Sequence, residues 1–328
     1  MAVLVCGGAG YIGSHTVAAL RERGDDVVVI DNMSKGHRAA LMDVELCQGD
    51  IRDREFLTAF FASHDIEAVI DFAACIEVGE SMKEPLRYYD NNVGSVMVLL
   101  EAMRQAAVDQ IVFSSTAAVY GQPDSVPIQE TAAKRPTNAY GASKLAVEEL
   151  LHWCQAAYGI RSTCLRYFNA SGAHPSGKIG EDHHPETHLV PIVLQAALGK
   201  RPHITIYGDD YDTADGTCVR DYIHVCDLAD AHLRALDRLR AGGDSTAYNL
   251  GSGTGFSVRE IIEIAREVTG KDIPAQMGPR RAGDPATLIA SSDKIKQELG
   301  WIPQQDDMRA IIASAWAWHS AHPDGFDD

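Results

Sequence analysis

Apolar residues fall along this chain in short blocks, separated by longer stretches in which they recur with helical spacing, the pattern of strands alternating with helices. The first block, Val3-Leu4-Val5-Cys6, breaks into Gly7-Gly8-Ala9-Gly10-Tyr11-Ile12-Gly13, after which Thr16, Val17 and Leu20 mark one face of a helix. Val27 to Ile30 repeats the strand pattern and stops at Asp31. Val44 to Cys47 leads into Gly49-Asp50-Ile51, Ala68 to Phe72 into Ala73-Ala74, and Gln110 to Ser114 into Ser115 and Thr116. Apolar strands joined by helices predict an α/β fold with a doubly wound parallel sheet, whose ligands gather beyond the carboxyl ends of the strands. His203 to Tyr207 predicts a further strand, and the periodic stretches 258–268, 292–299 and 308–319 predict packing helices.

Composition narrows the function classes. The 328 residues are 45% hydrophobic, enough for one large core or two modest ones. Twenty-nine basic against 46 acidic side chains leave a formal charge of −17, with no basic cluster to offset it, so nucleic acid and anionic membrane surfaces are not expected partners. Seven scattered cysteines without a Cys-x-x-Cys pair predict reduced thiols, neither a disulfide framework nor a thiolate metal site. Neither a leader pattern nor an apolar run of membrane-spanning length is apparent, and a soluble, cytoplasmic protein is expected.

The glycine loop carries the first chemistry. Gly8-x-Gly10-x-x-Gly13 and the overlapping Gly7-x-x-Gly10-x-x-Gly13 both fit dinucleotide fingerprints, in which bare backbone lets a pyrophosphate approach a helix N-terminus. Asp31, at the end of the second strand, can accept hydrogen bonds from ribose hydroxyls and would repel a 2′-phosphate, so NAD is expected over NADP despite the nearby Lys35 and Arg38. Asp50 and Ile51 are then expected near the adenine, and Phe72 near the middle of the cofactor. A second constellation is Tyr140-Gly141-Ala142-Ser143-Lys144. Four residues apart on a helix, Tyr140 and Lys144 share a face, so the ammonium can favour the phenolate and the pair can exchange a proton with a hydroxyl. Thr116, just before this helix, is a candidate to bind a substrate hydroxyl; Ser114 and Ser115 read equally well as turn chemistry.

These motifs, with Val78-Gly79-Glu80-Ser81, Tyr88 to Asn92, Leu165-Arg166-Tyr167-Phe168-Asn169 and Gly216 to Val225, resemble those of the extended short-chain dehydrogenases, and within them the enzymes that invert C4 of UDP-hexoses. The resemblance covers nearly the whole chain. It implies an NAD-dependent isomerase in which Tyr140 is the base, Lys144 tunes it and Thr116 assists, working through a transient 4-keto sugar. Cofactor contacts are implied at Gly7, Gly10, Tyr11, Ile12, Gly13, Asp31, Asn32, Asp50, Ile51, Phe72, Asn91, Tyr140, Lys144 and Phe168. UDP-hexose contacts are implied at Thr116, Tyr140, Asn169, His188, Leu189, Tyr207, Arg220, Arg281 and Asp284, with Leu288 as a gate beside the sugar 2-position that decides whether N-acetylated sugars also fit. Where some relatives carry a cofactor-contacting lysine, this chain has Ile76.

The resemblance further implies an NAD-binding domain over 1–170 and a smaller mixed α/β UDP-sugar domain over 171–328, with part of 221–250 returning to the first, and a homodimer built from helices near 88–106 and 139–159. Two other functions share the fold: a nucleotide-sugar 4,6-dehydratase and a non-catalytic NAD-binding protein. Dehydratases resemble a pattern with Asp and Glu after the threonine, where this chain has Ala117 and Ala118; non-catalytic relatives lose the Tyr-Lys pair, which is present here. His183, His184 and His188 lie within six residues, but with no cysteine or second histidine cluster beside them they read as solvated loop residues, and no metal is expected.

Overall fold

The computed structural model describes residues 1–281 and 284–327; Ala282 and Gly283, inside the Arg280 to Asp284 stretch, and Asp328, the end of the second expected domain, lie outside the described residues. The apolar blocks form β1 (Ala2–Cys6), β2 (Val27–Asp31), β3 (Glu45–Gln48), β4 (Ile66–Asp71) and β5 (Gln110–Thr116). The later strands are β6 (Arg161–Tyr167), β7 (Asn169–Ser171), β8 (Ile204–Tyr207), β9 (Val219–His224), β10 (Thr246–Leu250), β11 (Gly255–Ser257), β12 (Ala275–Gly278) and β13 (Thr287–Leu288). The main sheet runs β10-β6-β5-β4-β1-β2-β3, and its pairings are parallel. Strand order reverses between β1 and β4, which opens the crevice at the carboxyl ends where this architecture binds its ligands.

The helices are α1 (Tyr11–Arg23), α2 (Arg54–Ser63), α3 (Val78–Ser81), α4 (Pro85–Tyr89), α5 (Ser95–Gln105), α6 (Ala139–Tyr158), α7 (Leu189–Ala197), α8 (Val225–Arg240), α9 (Val258–Thr269), α10 (Asp293–Leu299) and α11 (Met308–Ala321). One face of the sheet packs Val3, Val5, Val29 and Ile70 against Val17 and Leu20 of α1 and Leu228 and Leu236 of α8. The other packs Leu4, Ile30, Val69 and Phe113 against Leu57 of α2, Leu99 of α5 and Val147 and Leu151 of α6. A separate apolar cluster joins α7, α9 and α11 around Leu194, Ile262 and Ile312. β9 lies at the centre of a second, mixed sheet with β7, β11 and β13, while α8 and β10, which follow it, return to the main sheet.

β6 differs most from the sequence pattern. Ser162, Thr163 and Arg166 interrupt its apolar run, yet all three are buried; for Arg166 the reason is an internal pair with Glu148 of α6, Nε to Oε1 at 2.8 Å and Nη2 to Oε2 at 2.6 Å. Buried charge of this kind is tolerable only when paired and hydrogen-bonded. Among the described residues the cysteines are free, and no helix is long and apolar enough to cross a membrane.

Candidate active site

The glycine loop is shaped by two close approaches. Gly7 has φ +70, and a Cβ there would lie 2.8 Å from the Ala73 nitrogen; a Cβ at Gly13 would lie 2.2 Å from the Gly7 oxygen. Gly10 is different, since a Cβ would meet only the Gly7 oxygen at 3.4 Å. Gly10 is also the N-cap of α1, with no side chain bonding the first-turn N–H groups and no acidic residue in that turn. Open space over uncapped donors at the positive end of a helix suits a pyrophosphate. Asp31 closes the loop from below, its Oδ2 accepting from the Ala9 N–H at 3.0 Å and its Oδ1 from Met33 N–H at 2.9 Å. The donor set therefore fits a dinucleotide.

Around this cradle, Asn32 donates to Asp50 at 3.2 Å, and Arg52 holds both Asp50 oxygens, keeping that carboxyl well below the usual range. Ile51 is buried beside it. Lys35 turns away to the His184 carbonyl and to Glu77, so this cation already has partners. Ile12 packs into the core, and Tyr11, also buried, donates its hydroxyl to the Gly172 carbonyl at 2.7 Å. Phe72 lies beside His232 with ring centroids 4.7 Å apart. Asn91 lies in a π-helical segment, Asp90–Gly94, between α4 and α5 and donates to Asn92 at 3.1 Å. That widened turn, a feature frequent at functional sites, lets Asn92 clasp the Cys75 backbone in both directions and reach Ser143 of α6 at 3.1 Å. Ile76 is exposed at this edge.

Asn138 starts α6, its side chain accepting from the Gly141 N–H at 2.8 Å, and this cap fixes where Tyr140 and Lys144 emerge. Burial pushes the Tyr140 phenol above its ordinary value, and the neighbouring Thr116 hydroxyl pulls against that. Lys144 differs from the expectation that it sits beside the phenol. Its Nζ donates to the Ser114 carbonyl at 2.9 Å and lies 4.7 Å from the centre of the Phe113 ring. Burial lowers it to about 8, while the charge of Asp71 acts to keep it protonated. Asp71, which sequence reasoning missed, is buried and raised to about 6; Ala73 donates to its Oδ1 at 3.0 Å and its Oδ2 has no hydrogen-bond partner. Ser114 and Ser115 are committed internally, to Tyr167 and to Glu148, while Thr116 keeps its hydroxyl at the crevice and accepts from the Ala118 N–H at 3.1 Å.

Across the crevice, Phe168 and Leu288 pack against Val119, Tyr120 and Ile128, beside the Thr116 turn. Asn169 donates to the Asp221 carbonyl at 2.8 Å. Arg220, opposite Leu288 in the β9–β13 pairing, is bonded to Asp284, and the Arg281 guanidinium lies 4.0 Å from the centre of the Tyr207 ring. Leu189, first residue of α7, packs on the second core, and His188 caps the same helix. The histidine loop departs from the solvated reading at His183, which is largely buried between Glu181 and Glu186; His184 is exposed, and His188 is part-exposed with its Nδ1 2.9 Å from Glu186 and 3.2 Å from Glu181, both buried carboxylates. The glutamates carry no motif signal, since only the fold brings them to the histidines.

A family model described as the NAD dependent epimerase/dehydratase family matches residues 3–251. The chain belongs to this family. Among members of the family, a UDP-glucose 4-epimerase of Streptococcus mutans is 59% identical over 331 residues, covering 100% of this chain and 99% of its own. A UDP-glucose 4-epimerase of Halalkalibacterium halodurans is 57% identical over 326 residues, covering 99% and 98%. The crystal structure of UDP-glucose 4-epimerase from Bifidobacterium longum in complex with NAD+ and UDP superposes with a TM-score of 0.94 at 40% identity, covering 99% of this chain and 100% of that one. The parallel seven-stranded sheet and its crevice are thus features this chain has in common with epimerases of the family.

Proposed function

We propose that the chain is an NAD-dependent UDP-glucose 4-epimerase, interconverting UDP-glucose and UDP-galactose, with N-acetylated UDP-hexoses as further substrates. The observation that carries this reading is the Tyr140, Lys144 and Thr116 constellation at the carboxyl end of β5 and the start of α6, in a chain that aligns end to end with UDP-glucose 4-epimerases. NAD, when bound, supplies the hydride acceptor and donor for C4 of the sugar. Tyr140 takes the proton of the 4-hydroxyl as that carbon is oxidised to a ketone and returns it after the sugar has presented its other face. Thr116 orients the phenolic oxygen and the reacting hydroxyl. Lys144, one turn along α6 and bonded to the Ser114 carbonyl, not to the phenol, supplies a nearby positive charge that favours the phenolate through space.

Gly7, Gly10, Tyr11, Ile12, Gly13, Asp31, Asn32, Asp50, Ile51, Phe72, Asn91 and Phe168 line the dinucleotide path in this reading. Arg220 and Arg281 hold the diphosphate, where guanidinium geometry matches paired oxygens. Tyr207 stacks on the uracil, Asp284 orients Arg220 and binds ribose, and Asn169, His188 and Leu189 border the nucleotide sugar. Because recognition concentrates on the nucleotide, the hexose is free to turn. We place the domains at 1–170 and 171–328, with α8 and β10 belonging to the first, and the protein in the cytoplasm. Leu86 of α4, Met97 of α5 and Trp153 and Tyr158 of α6 are exposed apolar side chains, which supports a homodimer formed through these helices.

Ala117 and Ala118 follow Thr116 in a short 3-10 turn and offer no acid or base for water elimination, which disfavours the dehydratase. Retention of Tyr140 and Lys144 disfavours a purely NAD-binding role. The test is incubation of the purified protein with UDP-galactose, without added NAD, and identification of the product by NMR. UDP-glucose is expected; a 4-keto-6-deoxy product, or no conversion by protein that carries NAD, overturns the reading.

A further inference from the structure

The segment between β7 and α7 folds back so that Glu181, His183, Glu186 and His188 converge, with their donor atoms within 4.8 Å of one another. Both carboxylates are nearly inaccessible, the Glu181 side chain 4% and the Glu186 side chain 3% exposed. His183 Nδ1 lies 3.3 Å from Glu181 Oε1 and 3.6 Å from Glu186 Oε2; His188 Nδ1 lies 3.2 Å from Glu181 Oε1 and 2.9 Å from Glu186 Oε1. A tetrahedron with bonds of about 2.0–2.1 Å has edges of about 3.3–3.4 Å; with Glu181 Oε1 and Glu186 Oε2 as the carboxylate ligands, the separations of 3.2, 3.3 and 3.6 Å lie around that length.

Two further observations separate this group from a buried ion-pair cluster. His183 Nδ1 is buried and, although two carboxylates are close, makes no hydrogen bond, which places a nitrogen at ligand distance without the geometry of a donor. Glu186 Oε1 also accepts from the backbone N–H groups of Thr187 and His188, both at 2.7 Å, the kind of outer contact that orients a ligating carboxylate.

We propose that Glu181, His183, Glu186 and His188 form a binding site for one zinc ion, with Nδ1 of each histidine and one oxygen of each carboxylate as ligands. Two imidazoles and two carboxylates suit a first-row ion of borderline softness better than calcium or magnesium, which take oxygen ligands in larger number. Two neutral imidazoles and two carboxylates also balance a divalent charge. Four protein ligands close the coordination sphere, so the ion is structural. His183 meets the Tyr11 ring edge-on, with centroids 6.1 Å apart at 89°, and His188 caps α7. The ion would therefore tie the glycine-loop helix α1 to the lobe that carries α7.

The test uses the full chain, stripped with a chelator and titrated with zinc sulfate, with metal content read by mass spectrometry and cobalt(II) as a visible reporter. One zinc per chain is expected, with a higher unfolding temperature. Cobalt should give the strong visible bands of a tetrahedral site without thiolate charge transfer. Glu181→Gln and His183→Gln should each weaken zinc binding at least tenfold. No stoichiometric zinc uptake, octahedral cobalt bands, or binding unchanged in both variants would overturn the proposal. Thiolate charge transfer would overturn it too, by assigning the ion to Glu45, Cys47 and His64, the other group of this kind among the described residues. The stoichiometry and cobalt spectrum of the unmodified chain decide the matter even if a variant does not fold.

Discussion

The buried carboxylate of Asp71 is the charge that acts on Lys144: each shifts the other's ionisation, Lys144 toward the ammonium and Asp71 toward the carboxylate. β4 and β5 set this up, because Asp71 is paired with Phe113 in the sheet and Lys144 lies over the Phe113 ring while bonding the next residue's carbonyl. Burial drives Lys144 down, and with Asp71 opposing it the ammonium settles at about 8. Removing that opposition in Asp71→Asn should let Lys144 lose its proton at lower pH. The alkaline limb of the kcat profile is expected to move down by on the order of one pH unit, measured as UDP-galactose conversion from pH 6 to 10. An unmoved limb in an active, NAD-containing variant would show that the two are not coupled.

Tyr140→Phe removes only the phenolic oxygen, which the Thr116 hydroxyl influences. Turnover should fall by at least about 10²-fold, the lower range for general acid–base catalysis, while the absorbance of bound NAD stays at the unmodified level. Near-normal turnover would mean that another group moves the proton.

Arg166→Met tests the network beneath the site. Glu148 would lose both guanidinium bonds and keep only the Ser115 hydroxyl at 2.5 Å, and Tyr120 would lose the 2.8 Å bond from Arg166 while still donating to Asn249 at 2.6 Å. Stranding a buried carboxylate in this way costs about 3–5 kcal/mol. The urea midpoint should fall accordingly, and a change within error would place the network outside the stability of the fold.

What the sequence revealed and what it hid divide along the range of the interaction. The glycine loop, Asp31 and the Tyr140 and Lys144 spacing are local patterns whose chemistry is readable from adjacent residues. Asp71 was not legible, because a lone aspartate at a strand end gives no sign that a lysine 73 positions later will face it. Glu181 and Glu186 were hidden for the same reason, and His183 read as solvated only because its carboxylate neighbours and its burial arise from folding. β6 was obscured by Arg166, whose partner Glu148 lies on the preceding helix.

Acid should destabilise the chain before ordinary carboxylates titrate. Burial holds His15 at about 3 and His224 and His232 at about 4, against about 6.5 in an unfolded chain. The unfolded state therefore binds more protons as pH drops through 6.5, and stability falls from there toward pH 4. His183 and His188 have the opposite sign: raised to about 9 and about 10, they contribute fully below 6.5, and that contribution is lost as pH rises through their folded values. Metal-stripped protein should thus be most stable near pH 6.5–7. Urea midpoints from pH 5 to 10 would check this, and a flat curve between pH 7 and 5 would contradict the buried neutral histidines.

Leu288 bears on substrate breadth. It is half-buried, packs with Phe168 against the turn that follows Thr116, and lies opposite Arg220 in the short β13 pairing. In the function proposed above, the sugar lies beside these groups. A leucine is smaller than a tyrosine and lacks its hydroxyl, so an acetamido group at the sugar 2-position fits with a modest side-chain shift. UDP-N-acetylglucosamine and its galacto epimer should therefore turn over measurably, though more slowly than UDP-glucose and UDP-galactose. Leu288→Tyr should suppress the N-acetylated pair by roughly 10-fold or more, the scale of about 1.4 kcal/mol of steric discrimination, and leave the unsubstituted pair within about twofold. Rates for all four sugars, measured on both proteins, decide the point. Equal loss on the two classes would make Leu288 a packing residue, and no N-acetylated turnover in the unmodified chain would show the pocket already closed.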